Sequence, residues 1–159
     1  MKEILYKAKT KVISGDAYNG GKADGEWVKG FVYDDIGCWK IKQFDFDYCD
    51  YLEYEVDPDT ISQYININDR NKEKIFENDV IHVITKNGAD FNGCVIYMNG
   101  KYAIIDGTLN NFSNIITELH SNLVELEKVG NIFDNPELVP NFELKKEDNS
   151  KGVIEWNRS

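Results

Sequence analysis

Apolar and polar residues alternate with a period of two along much of this chain. The clearest alternation begins at Phe44, where aromatic and aliphatic residues are separated by Asp and Glu. The apolar set is Phe44, Phe46, Tyr48, Leu52, Tyr54 and Val56, and the acidic set is Asp45, Asp47, Asp50, Glu53, Glu55 and Asp57. Such alternation is typical of strands with one buried and one solvated face. The pattern predicts an apolar face that must be covered, with a turn or bulge near Asp50 and Tyr51.

Further strands are predicted on both sides of this segment. Short runs rich in β-branched and aromatic residues lie at 1–14, 27–33, 38–42, 80–85, 92–98, 101–106 and 123–133. Gly30 and Gly130 each interrupt a run, which indicates a bulge or a close backbone approach. Asn99-Gly100 is the strongest hairpin signal in the chain. The period changes only near residues 114–121, where the spacing i, i+3, i+4, i+7 predicts a short helix.

A polar reversal divides the centre of the chain. Apolar positions continue to Ile67 and resume at Ile75, and residues 68–74 contain no apolar side chain. The Asn and Asp residues in this reversal favour turns, because their side chains bond to nearby backbone groups. Short strands joined by tight hairpins over residues 60–135 therefore predict a small barrel, preceded by a separate N-terminal β unit.

Two separated motifs carry a resemblance to a known family. The first is QYININDRNKEKIFENDVI at residues 63–81, and the second is VGNIFDNPEL at residues 129–138. Both resemble motifs of the YopX family of phage and prophage proteins, and they occur in the expected order. The matching residues of the first motif are Gln63, Tyr64, Asp69, Asn71, Ile75, Phe76, Glu77 and Asp79. Family glycines are replaced by Asn66, Lys72 and Asn78, so the resemblance implies a positive φ at these positions.

The resemblance implies an SH3-like barrel and supplies a phage context without an established catalytic role. The expected fold is mainly β with a short helix, a β-rich α+β class. Its predicted parts are an N-terminal β unit at 1–58, an SH3-like barrel at 59–140 and a mobile polar tail at 141–159. The candidate partner-binding residues are Tyr64, Asp69, Asn71, Glu77 and Asp79. For Glu77 and Asp79 a structural role is favoured, because an Asp before a strand accepts backbone N–H bonds.

Composition and charge narrow the classes of function. The 159 residues are 42% hydrophobic, as in globular proteins, and carry a net charge of −10. This charge disfavours nucleic acid and anionic membranes as partners. No apolar run approaches the roughly 20 residues that span a bilayer, and no apolar signal-peptide core follows Met1. The three cysteines lack metal-ligand spacing, which predicts free thiols in a reducing cytoplasm.

The sequence contains no motif for catalysis, metal binding or a cofactor. His82 and His120 lie outside ligand or nucleophile motifs, and Cys94 is predicted to be a core residue. The acidic residues at 45–57 lack the spacing of a calcium loop, so a solvated strand face is favoured over a metal site. We therefore expect a non-enzymatic phage or prophage accessory protein that binds a host or phage macromolecule, for example a host or phage protein, or that assembles as a homo-oligomer.

A nucleic-acid-associated small-barrel module is the alternative. Its basis is a local excess of positive charge in the first thirty residues of an acidic chain. The lysines concerned are Lys2, Lys7, Lys9, Lys11, Lys22 and Lys29.

Overall fold

The computed structural model describes residues 1–11, 21–86, 88–98, 100–106, 112–113, 125–140 and 142. The fold is mainly β, as predicted. The strands are β1 (Tyr6–Lys9), β2 (Trp27–Asp35), β3 (Cys38–Asp45), β4 (Asp50–Glu55), β5 (Ser62–Asn68), β6 (Lys74–Phe76), β7 (Asp79–Ile84), β8 (Asp90–Met98), β9 (Lys101–Ile105), β10 (Phe112–Ser113) and β11 (Glu125–Asn131). Short 3-10 helices lie at Pro58–Thr60 and Pro136–Leu138. The helix expected at 114–121, and the tail at 141–159 apart from Phe142, lie outside the described residues.

The strands form two antiparallel sheets. The first has the order β4-β3-β2-β1-β5-β6, and the second has the order β10-β9-β8-β7-β11. Within the described ranges neither sheet is a closed barrel, so the SH3-like barrel expected at 59–140 is not confirmed. The physical reason is the pairing of β5 with β1, in which Tyr6 lies opposite Gln63. This pairing divides the strands after residue 59 between the two sheets, and the two-domain division stays a prediction.

The tight turns follow the local sequence closely. β8 and β9 form the hairpin predicted at Asn99-Gly100, with Met98 opposite Lys101. β2 and β3 are joined through Ile36 and Gly37, whose φ angles of 53° and 83° are typical of a type I′ turn. Such a turn matches the right-handed twist of the two strands it joins.

Both glycine irregularities are also present. A Cβ atom at Gly30 would lie 2.2 Å from the carbonyl oxygen of Lys42, so β3 approaches this backbone too closely for any side chain. In β11 the pairing with β7 shifts between Lys128 and Gly130. The contact between β2 and β3 at Gly30 therefore depends on the absence of a side chain there.

The first sheet curls so that the end of β4, its edge strand, comes back to the end of β1. Thr10 and Val56 form an isolated antiparallel bridge, and the Lys11 N–H donates to the Glu55 carbonyl over 3.0 Å. The concave side of this curl is filled by a cluster of buried side chains. Its members are Ala8, Val28, Ile41, Tyr54 and Val56.

The two sheets share a second core. Ile65 and Ile75 of the first sheet pack with buried residues of β7, β8, β9 and β11. The other side of the second sheet carries a third cluster that includes Cys94, which is fully buried as predicted. Burial raises the pKa of the Cys94 thiol far above its ordinary value, so this cysteine is a packing residue. The edge of the first sheet that is formed by β5 and β6 therefore packs against the second sheet.

Candidate interaction surface

The first motif places three non-glycine residues in the left-handed region of backbone space. Asn66, Lys72 and Asn78 have φ angles of 62°, 66° and 66°. This confirms the positive φ that the resemblance implies at these positions. Asn tolerates this geometry better than Lys, because its short side chain can bond to the local backbone. Lys72 is therefore the most strained of the three positions.

Asp69 holds the polar reversal of the motif in place. Its carboxylate accepts the N–H groups of Asn71 and Glu73 over 2.8 and 2.9 Å, and that of Lys128 over 3.0 Å. Burial alone would raise the pKa of Asp69, but these backbone donors hold the pKa below its ordinary value. Asp69 therefore connects the first motif to the strand that leads into the second.

Asp79 lies in a buried ion pair between the sheets. Its side chain is fully buried, and it accepts the Phe76 N–H over 2.8 Å, as predicted for an Asp before a strand. The same carboxylate pairs with the buried ammonium of Lys7 and lies 3.5 Å from the Lys128 ammonium. Burial lowers the pKa of Lys7; Asp79 opposes this shift, whereas Lys128 and Lys29 add to it. The ion pair couples β1 of the first sheet to β7 of the second.

The second motif completes this polar contact. Asp134 accepts the indole N–H of Trp27 over 2.7 Å and pairs with Lys9. Burial acts to raise the pKa of Asp134, but hydrogen bonds from Asn131, Lys9 and Trp27 outweigh it and lower the pKa to about 2. We refer to Lys7, Asp79, Lys128, Trp27 and Asp134 together as the polar junction. Both motifs thus meet where the two sheets are joined.

The remaining candidate residues of the first motif are spread between interior and surface. Tyr64 is 6% exposed, and its hydroxyl donates to the Asn68 side chain over 2.8 Å. Glu77 is half-buried; burial raises its pKa, and backbone N–H bonds oppose the rise. Asn71 is exposed. Of the five candidates, Asn71 alone is exposed to a partner without rearrangement, and a partner-binding role for the set stays a prediction.

An exposed aromatic cluster lies at the end of the β3–β4 hairpin. Phe46 and Tyr48 are each 83% exposed, while Tyr51 is 49% and Phe44 is 37% exposed. The Phe44 ring packs edge-on against Phe46 and Tyr51, with centroid distances of 4.9 and 5.1 Å. We call residues 44–51 the hairpin tip. The rings support one another and remain open to solvent.

The loop of the hairpin explains why these rings point outward. Asp45 lies opposite Asp50, and the Asp45 carboxylate accepts the N–H groups of Asp47 and Tyr48 over 2.9 and 3.3 Å. Cys49 closes the loop with a φ of 52°. The chain therefore reverses at residues 46–49, directly before the position near Asp50 and Tyr51 where the turn was predicted.

This reversal divides the predicted apolar face. Phe44 pairs with Tyr51 on the convex side of the sheet, whereas Tyr54 and Val56 enter the core on the concave side. The prediction of one continuous apolar face was wrong, because the loop resets the alternation between β3 and β4. Sequence reasoning identified the acidic and aromatic residues but not their separation into an inner and an outer set.

The hairpin tip is acidic as well as aromatic. A shallow pocket of about 280 Å³ is lined by Gln43, Phe44, Asp45, Phe46, Asp47 and Leu52. Residues 43–69 contain no Lys or Arg. The neighbouring Lys42 lies 3.4 Å from the Glu53 carboxylate and 5.0 Å from the Tyr51 ring centroid, so its charge is already engaged. The tip combines exposed ring faces with uncompensated negative charge.

The histidines and the acidic groups of the described residues are the candidates for metal binding or catalysis. No group of three or more His, Cys, Asp or Glu side chains in those ranges is arranged to hold a metal ion. His82 forms a surface contact with Asp90 at 2.6 Å, and His120 lies outside the described residues. Helices long and apolar enough to cross a membrane are also missing from the described part of the chain.

The protein is mainly β, and its two antiparallel sheets are joined at the polar junction, to which both motifs contribute residues. The family model described as YopX protein matches residues 11–140, which include both motifs and the hairpin tip. The chain therefore belongs to the YopX family, whose molecular function is unknown. A search of the curated proteins finds no match.

Proposed function

We propose that this YopX-family chain is a non-enzymatic phage or prophage accessory protein that binds another protein through the hairpin tip. The observation that carries the proposal is the exposure of Phe46 and Tyr48, each 83% exposed beside the partly open rings of Phe44 and Tyr51. Clustered aromatic residues on a surface are the usual anchors of protein–protein contacts.

Burial of the exposed rings would release enough free energy to support binding. Full burial of an aromatic side chain removes roughly 150–250 Å² from water, which contributes about 4–6 kcal/mol per ring at about 25 cal/mol per Å². Only part of this reaches the binding free energy, because association also costs translational and side-chain entropy. Two well-covered rings are therefore sufficient anchors for a specific contact.

The charge of the tip favours a protein over a nucleic acid as partner. Asp45, Asp47 and Asp50 surround the rings, and no cation lies within the segment 43–69. Stacking platforms for nucleic acid combine aromatic rings with a basic groove, since phosphate neutralisation supplies most of the affinity. An acidic rim repels phosphate and leaves the rings available to a protein surface.

The test is affinity capture from host cells followed by binding of the purified partner. The double substitution Phe46→Ala with Tyr48→Ala should abolish recovery and direct binding. Tyr97→Ala is a matched control, because Tyr97 is a 52% exposed ring on β8 of the second sheet. Equal recovery by the wild type and the double variant would contradict the proposal, as would turnover of a small substrate without any captured partner.

A nucleic-acid-associated role is the second candidate, and Lys29 supports it. In the described residues this lysine has no carboxylate within 4 Å. It lies on the same face of β2 as Phe31, which is 60% exposed. Of the other lysines in the first thirty residues, Lys7 and Lys9 are paired with Asp79 and Asp134. A gel-shift assay at low salt decides this candidate, because low salt maximises attraction to phosphate. No shift there would remove it.

A further inference from the structure

We infer that the hairpin tip recognises a protein segment that presents an arginine side chain. The inference rests on the proposed function and specifies the chemistry of the partner. The guanidinium lies against the rings of Phe44 and Phe46, and its N–H groups donate to the carboxylates of Asp45 and Asp47. Aromatic faces and acidic groups thus act on the same cation.

The rings provide the first part of this site. Phe44 and Phe46 meet edge-on at 4.9 Å and line the pocket, which leaves ring surface open to solvent. The face of an aromatic ring carries negative charge density and attracts a cation placed within about 6 Å of its centroid. The same chain shows this geometry next to the tip, where the Lys42 ammonium lies 5.0 Å from the centroid of Tyr51.

The carboxylates provide the second part. One oxygen of Asp45 accepts the loop N–H groups of Asp47 and Tyr48, which fixes the direction of the carboxylate. The Asp47 carboxylate is exposed and has no hydrogen bond or ion pair to any described residue. Both acids line the same pocket as the rings. A cation from outside the chain would neutralise charge that the fold leaves uncompensated.

Arginine fits this arrangement better than lysine. Its guanidinium is planar, so it stacks on a ring while its edge donates to a carboxylate, and it is more weakly hydrated than an ammonium. A second copy of the tip fits poorly, because a two-fold contact would place Asp45 and Asp47 of both copies together. Light scattering should therefore show that the tip itself does not drive self-association.

Binding of defined peptides tests the inference. Labelled short peptides alternate glycine with arginine, lysine or glutamate, and fluorescence anisotropy measures their binding to the full chain at low salt. The arginine peptide should bind more tightly than the lysine peptide, and the glutamate peptide should not bind. Phe46→Ala should weaken arginine-peptide binding by about fivefold to tenfold, and Asp47→Asn by about threefold.

Glu73→Gln is the matched control for charge. It removes one negative charge at an exposed position of the polar reversal, away from the tip, and should change arginine-peptide binding by less than about twofold. A loss with Glu73→Gln equal to that with Asp47→Asn would overturn the inference, because binding would then follow net charge. Equal affinity for the arginine and lysine peptides, or no binding, would also overturn it.

The two proposals fail separately. If no arginine peptide binds but a captured partner still requires Phe46 and Tyr48, the arginine inference is wrong and the proposed function stands. Circular dichroism melts confirm that each variant is folded. Asp47→Asn changes only an exposed loop side chain, so it remains informative if Phe46→Ala reduces stability.

Discussion

The polar junction pairs charged side chains between the two sheets and buries Lys7 and Asp79, whereas the hairpin tip exposes aromatic rings to water. At the junction each buried charge has a partner, as with Lys7 and Asp79. At the tip the rings of Phe46 and Tyr48 are held by a tight loop and have no cover within the described residues. Both family motifs lie at or near the junction, while the tip lies between the first strands and the first motif. Residues of the junction join the two sheets, whereas the rings of the tip are exposed to solvent.

The largest effect is expected from breaking the buried ion pair. Asp79→Asn keeps an acceptor for the Phe76 N–H but leaves Lys7 buried without a counter-charge, which should reduce the free energy of unfolding by about 3–5 kcal/mol. Urea denaturation measures this loss, with Glu73→Gln as a surface control. A loss below about 1 kcal/mol would show that Lys7 loses its proton or reaches water once the carboxylate is removed.

The next largest loss of stability is expected on the concave side of the first sheet, and almost none is expected at the hairpin tip. Ile41→Ala removes a fully buried side chain of the concave core and should cost about 2–5 kcal/mol. Phe46→Ala at the tip should change the free energy of unfolding by less than about 0.5 kcal/mol, because its ring leaves water only when a partner binds. Paired urea melts check both values. A large loss for Phe46→Ala would show that the tip aromatics support the fold.

Asp134 is expected to make a smaller, pH-dependent contribution to the stability of the fold. Its pKa in the folded protein is about 2, below the ordinary value of 3.8, so its ionised form stabilises the fold. This contribution is fully present above the unfolded pKa and is lost as the pH falls through the folded pKa. Thermal melts between about pH 5 and pH 2 should therefore show a steeper decline for the wild type than for Asp134→Asn. Parallel declines would contradict the assignment.

The smallest effect is expected at Lys72. Lys72→Gly relieves left-handed strain but adds freedom to the unfolded chain, and the two terms leave a net stabilisation of at most about 1 kcal/mol. A thermal melt should show an equal or slightly raised Tm. Glu73→Gly is the control, since Glu73 does not have a positive φ and should lose stability. A clear fall in Tm for Lys72→Gly would show that the lysine side chain has a supporting contact.

Local features were predictable from the sequence because their causes are local. Asn99-Gly100 predicted the β8–β9 hairpin, and the family glycines predicted the positive φ of Asn66, Lys72 and Asn78. The predicted acidic face of 45–57 was correct in composition but wrong in register. A loop centred on residues 46–49 resets the alternation, and only its hydrogen bonds reveal where it begins.

Long-range features could not be obtained in this way. Lys7 and Asp79 are 72 positions apart, and neither residue type predicts a buried partner. The pairing of β5 with β1 also depends on strands that are distant in sequence. Period-two patterns specify that a strand has two faces, but they do not specify its neighbours. The exposure of the hairpin tip could not be predicted for the same reason, because it depends on which strands cover the rings.

The position of β1 inside the first sheet has a consequence for the order of events on the ribosome. β1 leaves the exit tunnel before β5 and β7, yet it pairs on one side with β5, and Lys7 contacts a carboxylate at position 79. A nascent chain that ends before residue 62 can therefore form the β1–β4 hairpins but leaves one side of β1 unpaired. The ammonium of Lys7 stays hydrated until β7 has been synthesised, so docking of the two sheets is a late step of biosynthesis.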